Sequence, residues 1–461
     1  VRAAFYADVS PTALRALNYA PEVEAFRRRS RVSRCVSLGS LAANFGKAYR
    51  RIFVRQECDP KHGVELLGQS DMFATEPVGR WIREDGVRGI EDQRIKRGQL
   101  LFAGVGTLGE TELYGRCVLA DARLQGRIIG SDAVALTFAE PESNVAAFAY
   151  AFLSTRAGVR AVRATGYGTK LMSLRMDFLR ALPVPMGTDE QVARVAALVR
   201  ETVTQREAYA GHLREARAQL DEIPGFSEAR AMCERRERRA IWWDGALPTY
   251  TAWTYASAGE AFASLARQWS ARLGDVVEAD GIFNGNRFAR GSCERPHGIP
   301  LLSQRDVFMM RPIPRRVVHP GISERLLMAQ PFTLLAGGAG TLGEGELFGR
   351  VEMVGEDWVS LAISEHLLRI LPRREYACLA YAFLSSIVGF RLLRSTAVGT
   401  KILSLRPDLL RTLPFPSVGD ELRRDIDRIV TSALRARANA SAAESEAVRI
   451  IEQEVLPAWL A

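Results

Sequence analysis

AYAFLSTRAGVRAVRATGYGTKLMSLRMDFLRALPVP occupies residues 149–185, and AYAFLSSIVGFRLLRSTAVGTKILSLRPDLLRTLPFP occupies 380–416. Without a gap, 22 of these 37 positions are identical. Self-similarity of that strength marks a repeated structural unit. Upstream, GTLGETELYGR (106–116) matches GTLGEGELFGR (340–350), and HGVELLGQSDMF (62–73) matches HGIPLLSQRDVF (297–308). Weaker matches open each copy: SLG at 37–39 with RLG at 272–274, and EAF at 24–26 with EAF at 260–262. The offset stays between about 231 and 236, so only small insertions separate two copies of one fold. The copies diverge between the two upstream blocks, over 74–99 in the first and 309–332 in the second. A shared frame with a divergent segment suggests two similar modules that read two different targets. Drift in surface loops is the competing explanation.

Each copy has two parts. The first, over 1–186 and 237–417, mixes short apolar runs with Gly and Pro punctuation. RGQLLFAGVGTLG and GRCVLADARL read as strands joined by turns. Asn144 to Arg163 reads as one helix with Phe148, Phe152 and Val159 on a face. SLRMDFLRALPVP reads as a short helix stopped by Pro183. The second part is helical: a central helix and linker over 187–236, and a C-terminal helix over 418–461. In the central helix Val192, Val195, Val199, Val203, Leu213, Ala216 and Leu220 keep three/four spacing, and Thr188 with Gln191 forms a capping box. The C-terminal counterpart carries Leu422, Ile426, Ile429, Leu434, Ala447, Ile451 and Val455. Neither stripe is buried by its own helix, so the economical arrangement packs the two helices on each other. The fold expected is α+β, with two pseudo-symmetric mixed domains joined by two long helices packed as an antiparallel coiled coil. Packing of each helix on its own domain is the alternative.

The chain has 461 residues, 47% of them hydrophobic and 25% charged, an ordinary globular composition for roughly two to four domains. No apolar run approaches the roughly 18–20 residues of a membrane span. The first residues lack the regions of a signal peptide, and no Met begins them. Six Cys are scattered without a CxxC pair, which argues against a disulfide scaffold or structural zinc and fits a reducing cytoplasm. The net charge is +9 and the pI about 9.4. Arg supplies 57 of the 62 basic residues; a GC-rich genome explains that bias as simply as nucleic acid does.

Enzymatic motifs are few. GVGTLG (104–109) and GAGTLG (338–343) satisfy GxGxxG, but the stretch after the first, ETELYGRCVL, reads as a second strand, so a Gly-rich turn fits better than a nucleotide site. There is no Walker A sequence, no GxSxG elbow, no HExxH, no (D/N)PP(Y/F) and no helicase motif. His62 and His297 recur before a Gly and read as turn-lining residues. Asp71 and Asp306 recur without a matched second acid. Lys170 and Lys401, two of only five lysines, occupy one repeat position in a Gly-Thr-Lys turn, and Arg175 and Arg406 follow. Such a turn at a helix start suits a phosphate contact; a capped helix with a solvated Lys is the alternative.

Two copies of a mixed domain, each followed by a long helix, resemble the specificity subunit of type I restriction–modification systems. The resemblance rests on the order, repeated twice, of GTLGE, the Gly-Thr-Lys turn, L-P-x-P (182–185 and 413–416) and the helix start DEQVARV. It covers nearly the whole chain. The second helix starts GDELRRD and lacks the Gln, and the N-terminal stretch with FRRRSRVSR departs from the pattern.

The resemblance implies two target recognition domains, each reading half of a bipartite asymmetric site on double-stranded DNA. It implies a helical pair that spaces the halves and docks two methyltransferase subunits, with restriction/translocase subunits joining later. The chain itself is then non-catalytic and holds no metal or cofactor; S-adenosylmethionine, ATP and Mg belong to the partners. Candidate DNA contacts in the first module are Lys47, Arg50, Arg51, Gln69, Arg80, Arg83, Arg88, Gln93, Arg94 and Lys96, with Lys170 and Arg175. In the second they are Asn284, Asn286, Arg287, Arg290, Gln304, Arg305, Arg311, Arg315, Arg316 and His319, with Lys401 and Arg406. Arg and Lys suit phosphates; Arg, Gln, Asn and His suit base edges. Other readings are a similar DNA-recognition subunit in another phage-defence complex, a stand-alone nucleic-acid enzyme using the GxGxxG turns, and an RNA-binding adaptor.

Overall fold

The computed structural model describes residues 21–30, 34–47, 55–87, 89–234, 252–293 and 297–460. The chain forms two compact units: Val1–Glu207 with Asn439–Ala461, and Ala208–Ala438. Unit 1 begins with α1 (Pro21–Arg29), β1 (Cys35–Ser37), β2 (Ala42–Lys47), β3 (Gly63–Leu67), β4 (Arg80–Arg83) and α2 (Ile90–Gln93). It continues with β5 (Leu100–Ala103), β6 (Val105–Gly106), β7 (Cys117–Leu119), β8 (Ile128–Ile129), β9 (Ala133–Phe138), α3 (Asn144–Ser154) and α4 (Arg156–Ala164). Then come β10 (Gly166–Tyr167), β11 (Met172–Leu174), α5 (Met176–Arg180) and β12 (Pro183–Pro185), and the long α6 (Asp189–Ala218), which contributes to both units. Unit 2 holds α7 (Phe226–Glu234), α8 (Ala252–Gln268), α9 (Leu273–Val276), β13 (Val277–Asn284), β14 (Ile299–Leu302), α10 (Gln304–Val307), β15 (Arg315–Val317) and α11 (Glu324–Leu327). It continues with β16 (Leu334–Gly337), β17 (Ala339–Gly340), β18 (Val351–Met353), β19 (Ala362–Ile363), β20 (Leu367–Pro372), α12 (Ala377–Ser385) and α13 (Ile387–Ser395). Last are β21 (Ala397–Val398), β22 (Leu403–Leu405), α14 (Pro407–Arg411) and the long α15 (Asp420–Ile450), again in both units, followed by a π turn (Ile451–Val455) and α16 (Leu456–Leu460).

Three sheets recur in both units, while the β1-β12 pair of unit 1 is reduced in unit 2 to a single bridge between Arg272 and Pro414. Unit 1 has a four-stranded sheet, β2-β9-β5-β7, and unit 2 has β13-β20-β16-β18. Each adds a three-stranded sheet with one parallel pair, β4-β3-β8 and β15-β14-β19, and a small sheet, β10-β11-β6 and β17-β22-β21. The central strands LLFA and LLRILP are apolar almost throughout because both faces are covered. In β16, Leu334 and Ala336 enter the main core while Leu335 enters a second one with Trp358 and Phe308, as a period of two requires. The divergent segments 74–99 and 309–332 each form a short strand and a short helix, β4 with α2 and β15 with α11. Their scaffold is shared; the side chains differ.

The single helix expected over 144–163 is two helices. Thr155 ends α3 by donating to the Phe152 carbonyl (2.6 Å), and its hydroxyl accepts the Gly158 N–H (2.9 Å) to start α4. Ser386 repeats both bonds with Phe383 (2.6 Å) and Gly389 (3.1 Å), and there the chain bends by 86°. A Cβ at Gly158 or Gly389 would lie 2.1 or 2.2 Å from those carbonyl oxygens, so only glycine permits the bend. Among the described residues no single helix is long and apolar enough to cross a membrane. All six cysteines are free thiols.

The long helices meet antiparallel. In unit 1, Arg194 pairs with Glu454 (3.5 Å), and three turns further along α6 Arg206 pairs with Glu444 (2.7 Å), ten residues back. Val192, Val195 and Val199 share a core with Ala447, Ile450, Ile451 and Val455. In unit 2, Leu213, Ala216 and Leu220 share one with Ile426, Ile429 and Val430. Both stripes also pack on their own domains, since these cores include α3 and β9, or α12 and β20. Thus the two arrangements weighed from the sequence coexist. The capping box at Thr188 forms in both directions, from Gln191 N–H to Thr188 Oγ1 (3.2 Å) and from Thr188 N–H to Gln191 Oε1 (2.9 Å).

Each unit buries one arginine of its long helix. Arg206 Nη2 donates to Glu444 (2.7 Å), whose other oxygen accepts from the Tyr150 hydroxyl (2.7 Å). Its repeat counterpart Arg437 binds Asp357 through two bonds (3.0 and 3.1 Å), and lies 3.9 Å over the Trp358 ring. The hydroxyls of Tyr209 and Tyr381 both donate to Glu352 beside it (2.7 and 2.8 Å). Burial and the Glu444 charge hold the Tyr150 hydroxyl well above its ordinary range. Removing one partner of such a pair strands a buried charge, whereas removing both often costs little. Arg206→Met is therefore expected to destabilise unit 1 by about 3–5 kcal/mol, and Arg206→Met with Glu444→Leu to recover most of the loss, read from urea unfolding.

Candidate nucleic-acid interface

The GTLGE loops are built from their own arginines. Arg116 Nε donates to the Glu112 carbonyl (3.0 Å), and Arg163 donates to the carbonyls of Tyr114 and Glu112 (both 2.8 Å). In unit 2, Arg350 holds Glu346 (3.1 Å), and Arg394 holds Phe348 (2.9 Å) and Gly343 (2.8 Å). Burial is the largest influence on Arg394 and brings its guanidinium down to about 10. Because these four side chains occupy loop carbonyls, the chain after β6 and β17 runs through turns. The strand expected across 110–119 shortens to Cys117–Leu119. No helix follows either GxGxxG stretch before the next strand, so the nucleotide fingerprint is absent.

The two-residue strands β6 and β17 sit at one edge of their small sheets, paired on that sheet only with β11 and β22. Their outer edge is held by a glutamine. Gln69 Nε2 donates to the Val105 carbonyl (2.6 Å) and its Oε1 accepts the Val105 N–H (3.1 Å). Gln304 does the same to Ala339 (2.9 and 3.4 Å). A carboxamide presents one acceptor and two donors at the spacing of a backbone pair, so each Gln acts as a missing strand neighbour. Asp71 and Asp306 stabilise the turns around these glutamines, Asp71 by accepting from Gly68 N–H (2.7 Å) and Asp306 from Ser303 (2.9 and 2.6 Å).

In unit 2 a cleft of about 250 Å³ opens beside that edge, lined by Asn284, Arg287, Ala339, Glu365, His366 and Ser404, with Gly285 and Gly338. Burial raises the Glu365 carboxyl, but its hydrogen bond and ion pair with Arg290 outweigh this and hold it below the usual range. Ser404 lies on β22, three residues after Lys401. The unit 1 counterpart of Asn284 is Lys47: Asn284 faces Leu368, Lys47 faces Val134, and these partners are themselves equivalent. Thus the end of β13, the edge of β17 and the β21–β22 turn bring Asn284, Arg287 and Gln304 to one side of unit 2, with Lys401 on the adjoining turn. Lys47, Gln69 and Lys170 hold the matching elements in unit 1.

The remaining candidates are dispersed. Arg50, Arg51 and Arg88 lie outside the described residues. Arg80, Lys96 and Asn286 are exposed, and Gln93 ends α2. Arg83 pairs with Asp85, and Arg94 with Glu84 and Glu91. Arg315 donates to the Arg290 carbonyl and Ser292, and Arg316 to the carbonyls of His297 and Gly298. Arg305 and Arg311 are half-buried, and exposed His319 accepts the Gly321 N–H at Nδ1 (3.1 Å). Arg175 and Arg406 each pair with an aspartate two residues on, Asp177 and Asp408, so their charge is balanced locally. Lys170 and Lys401 are exposed. The four carbonyl-binding arginines were missed by sequence reasoning; their identity between copies was the available signal. Among the described residues no group of three His, Cys, Asp or Glu side chains could hold a metal ion.

Three solved structures cover most of the chain. One is the S subunit of a type I restriction-modification system from M. genitalium, with 15% identity, 93% of this chain and 94% of that chain covered, and a TM-score of 0.33. Another is the HsdS subunit from Thermoanaerobacter tengcongensis, with 17% identity, 93% and 96% coverage, and a TM-score of 0.27. The third comes from work on complex assembly and conformational transition of the type I R-M system, with 17% identity, 93% and 97% coverage, and a TM-score of 0.27. Two of these three neighbours are S (HsdS) subunits by name, and the third belongs to a type I R-M system. No protein-family profile and no curated protein matches it.

Gln69→Ala and Gln304→Ala are expected to cost about 1 kcal/mol each. Hydrogen exchange should quicken at the Val105 and Ala339 amides and stay unchanged in the central sheets.

Proposed function

We propose that the chain is the DNA-recognition subunit of a type I restriction–modification complex, reading a bipartite asymmetric site with one half-site per unit. The observation that carries this reading is the duplication itself. Two units share three sheets of the same strand order, yet the residues on β4 with α2 and on β15 with α11 differ. One scaffold with two sets of surface side chains is what two unlike half-sites require.

Phosphates are gripped by the basic residues around the small sheets, Lys47, Lys170, Arg287 and Lys401 among them, and these contacts carry no sequence information. Base edges are read from the divergent segments and from Asn284 and Asn286. The long helices, each shared by both units, tie the half-sites at a fixed separation. They also offer the surface on which methyltransferase subunits dock, with restriction/translocase subunits joining. Methyl transfer, with S-adenosylmethionine, and ATP-dependent steps belong to those partners; this chain binds and positions. The reading places the protein with DNA in the cytoplasm.

Replacing residues 74–99 with the matching segment of a homologue of different specificity should change one half-site of the methylated motif and leave the other half and the gap intact. Unaltered specificity would remove these segments from the reading surface.

A further inference from the structure

The lysines of the two Gly-Thr-Lys turns belong to the reading above, but the side chains beside them do not. Leu171 is 61% exposed and Ile402 66%, the highest values among the exposed large hydrophobic residues. Both follow the lysine, and both stand on a turn fixed by glycine. Gly168 and Gly399 adopt φ of +110° and +119°, and a Cβ there would lie 2.2 and 2.6 Å from the carbonyl oxygens of Leu171 and Ile402. The β6–β11 pairing ends at Gly106 and Met172, and Leu108 follows on the GTLGE loop. In unit 2 the β17–β22 pairing ends at Gly340 and Leu403, with Leu342 in the equivalent place. Leu108 and Leu342 are each 40% exposed.

The GTLGE loops that follow β6 and β17 are held by Arg116 and Arg163, and by Arg350 and Arg394. The nearby acidic side chains are drawn aside: Glu110 bonds Arg160 (3.0 Å) and Glu344 bonds Arg391 (2.6 and 2.9 Å). Each tip therefore presents one exposed aliphatic side chain next to an exposed lysine. The tips are the same in both units although the segments proposed to read bases differ. A contact common to both targets must be with something both half-sites share. A cation beside an aliphatic wedge matches the minor groove of a duplex, where phosphates flank sugar faces and base steps that such wedges unstack.

We propose that Leu171 and Ile402 are minor-groove wedges: Lys170 and Lys401 hold a phosphate, and the neighbouring aliphatic side chain enters at a base step and bends the duplex. This rests on the DNA-recognition reading. The probe is a pool of random-core duplexes, selected by the full chain together with any methyltransferase that co-purifies with it. Leu171→Ser with Ile402→Ser should leave the thermal midpoint unchanged, weaken binding about tenfold and reduce the bend seen by end-to-end energy transfer. The slope of log Kd against log salt should stay as in the parent. Lys170→Ala with Lys401→Ala should instead lower that slope by about two. Leu171→Met with Ile402→Met should keep the bend. Parental affinity and bend in the serine pair overturn the wedge and leave the recognition reading standing. Failure of the unaltered complex to bind any duplex overturns both. A serine pair that binds duplex as the parent does but loses the methyltransferase shows a protein-docking tip, and also overturns the wedge.

Discussion

The structure depends on how each unit covers the buried face of its long helices. α6 and α15 carry apolar stripes that must be shielded along their length, and each unit does this with the opposing helix and with its own α3 or α12. A single arginine is buried at the equivalent place in each, Arg206 and Arg437. The repeat supplies the same tyrosine for both, Tyr150 and Tyr381, but the carboxylate comes from different elements. In unit 1 it is Glu444 on the opposing helix; in unit 2 Asp357 pairs with Arg437, with Glu352 beside them on β18. A buried guanidinium without a partner is costly, so each solution fixes where its helix can lie. The repeat conserves the requirement and solves it twice.

Much of this was legible in the chain. The two stripes, the Thr188–Gln191 capping box, the reading of the GxGxxG stretches as turns and the correspondence of the copies all follow from spacing alone. What escaped was set by side chains acting on the backbone. The helix read over 144–163 breaks because Thr155 claims a carbonyl and an N–H, and the T-x-x-G and S-x-x-G spacing at equivalent positions was the visible sign. The strand read across 110–119 shortens because its carbonyls are occupied by Arg116 from within the segment and by Arg163 from α4, and the contribution of Arg163 is a tertiary effect that the segment alone does not show. Composition cannot separate an arginine spent on a carbonyl from one left for a phosphate.

The candidate site shows the same division. Lys170 and Lys401 stand out in the sequence as two of five lysines at one repeat position, and the structure places them on exposed, glycine-fixed turns. Gln69 and Gln304 were read as DNA contacts, and the structure engages their carboxamides on the edges of β6 and β17 instead. The aspartates two residues after Arg175 and Arg406 could have been read as their partners from spacing alone. The exposed aliphatic tips carried no motif and needed solvent exposure to be noticed.

The central claim is that two unlike half-sites are read by two copies of one scaffold at a fixed separation. Co-expression of the chain with any methyltransferase encoded beside it, followed by long-read mapping of modified bases across the host genome, tests it most directly. The account predicts a single bipartite motif with unlike halves and an invariant gap. A contiguous motif, a gap that varies between sites, or a stable complex that leaves the DNA unmodified would contradict it.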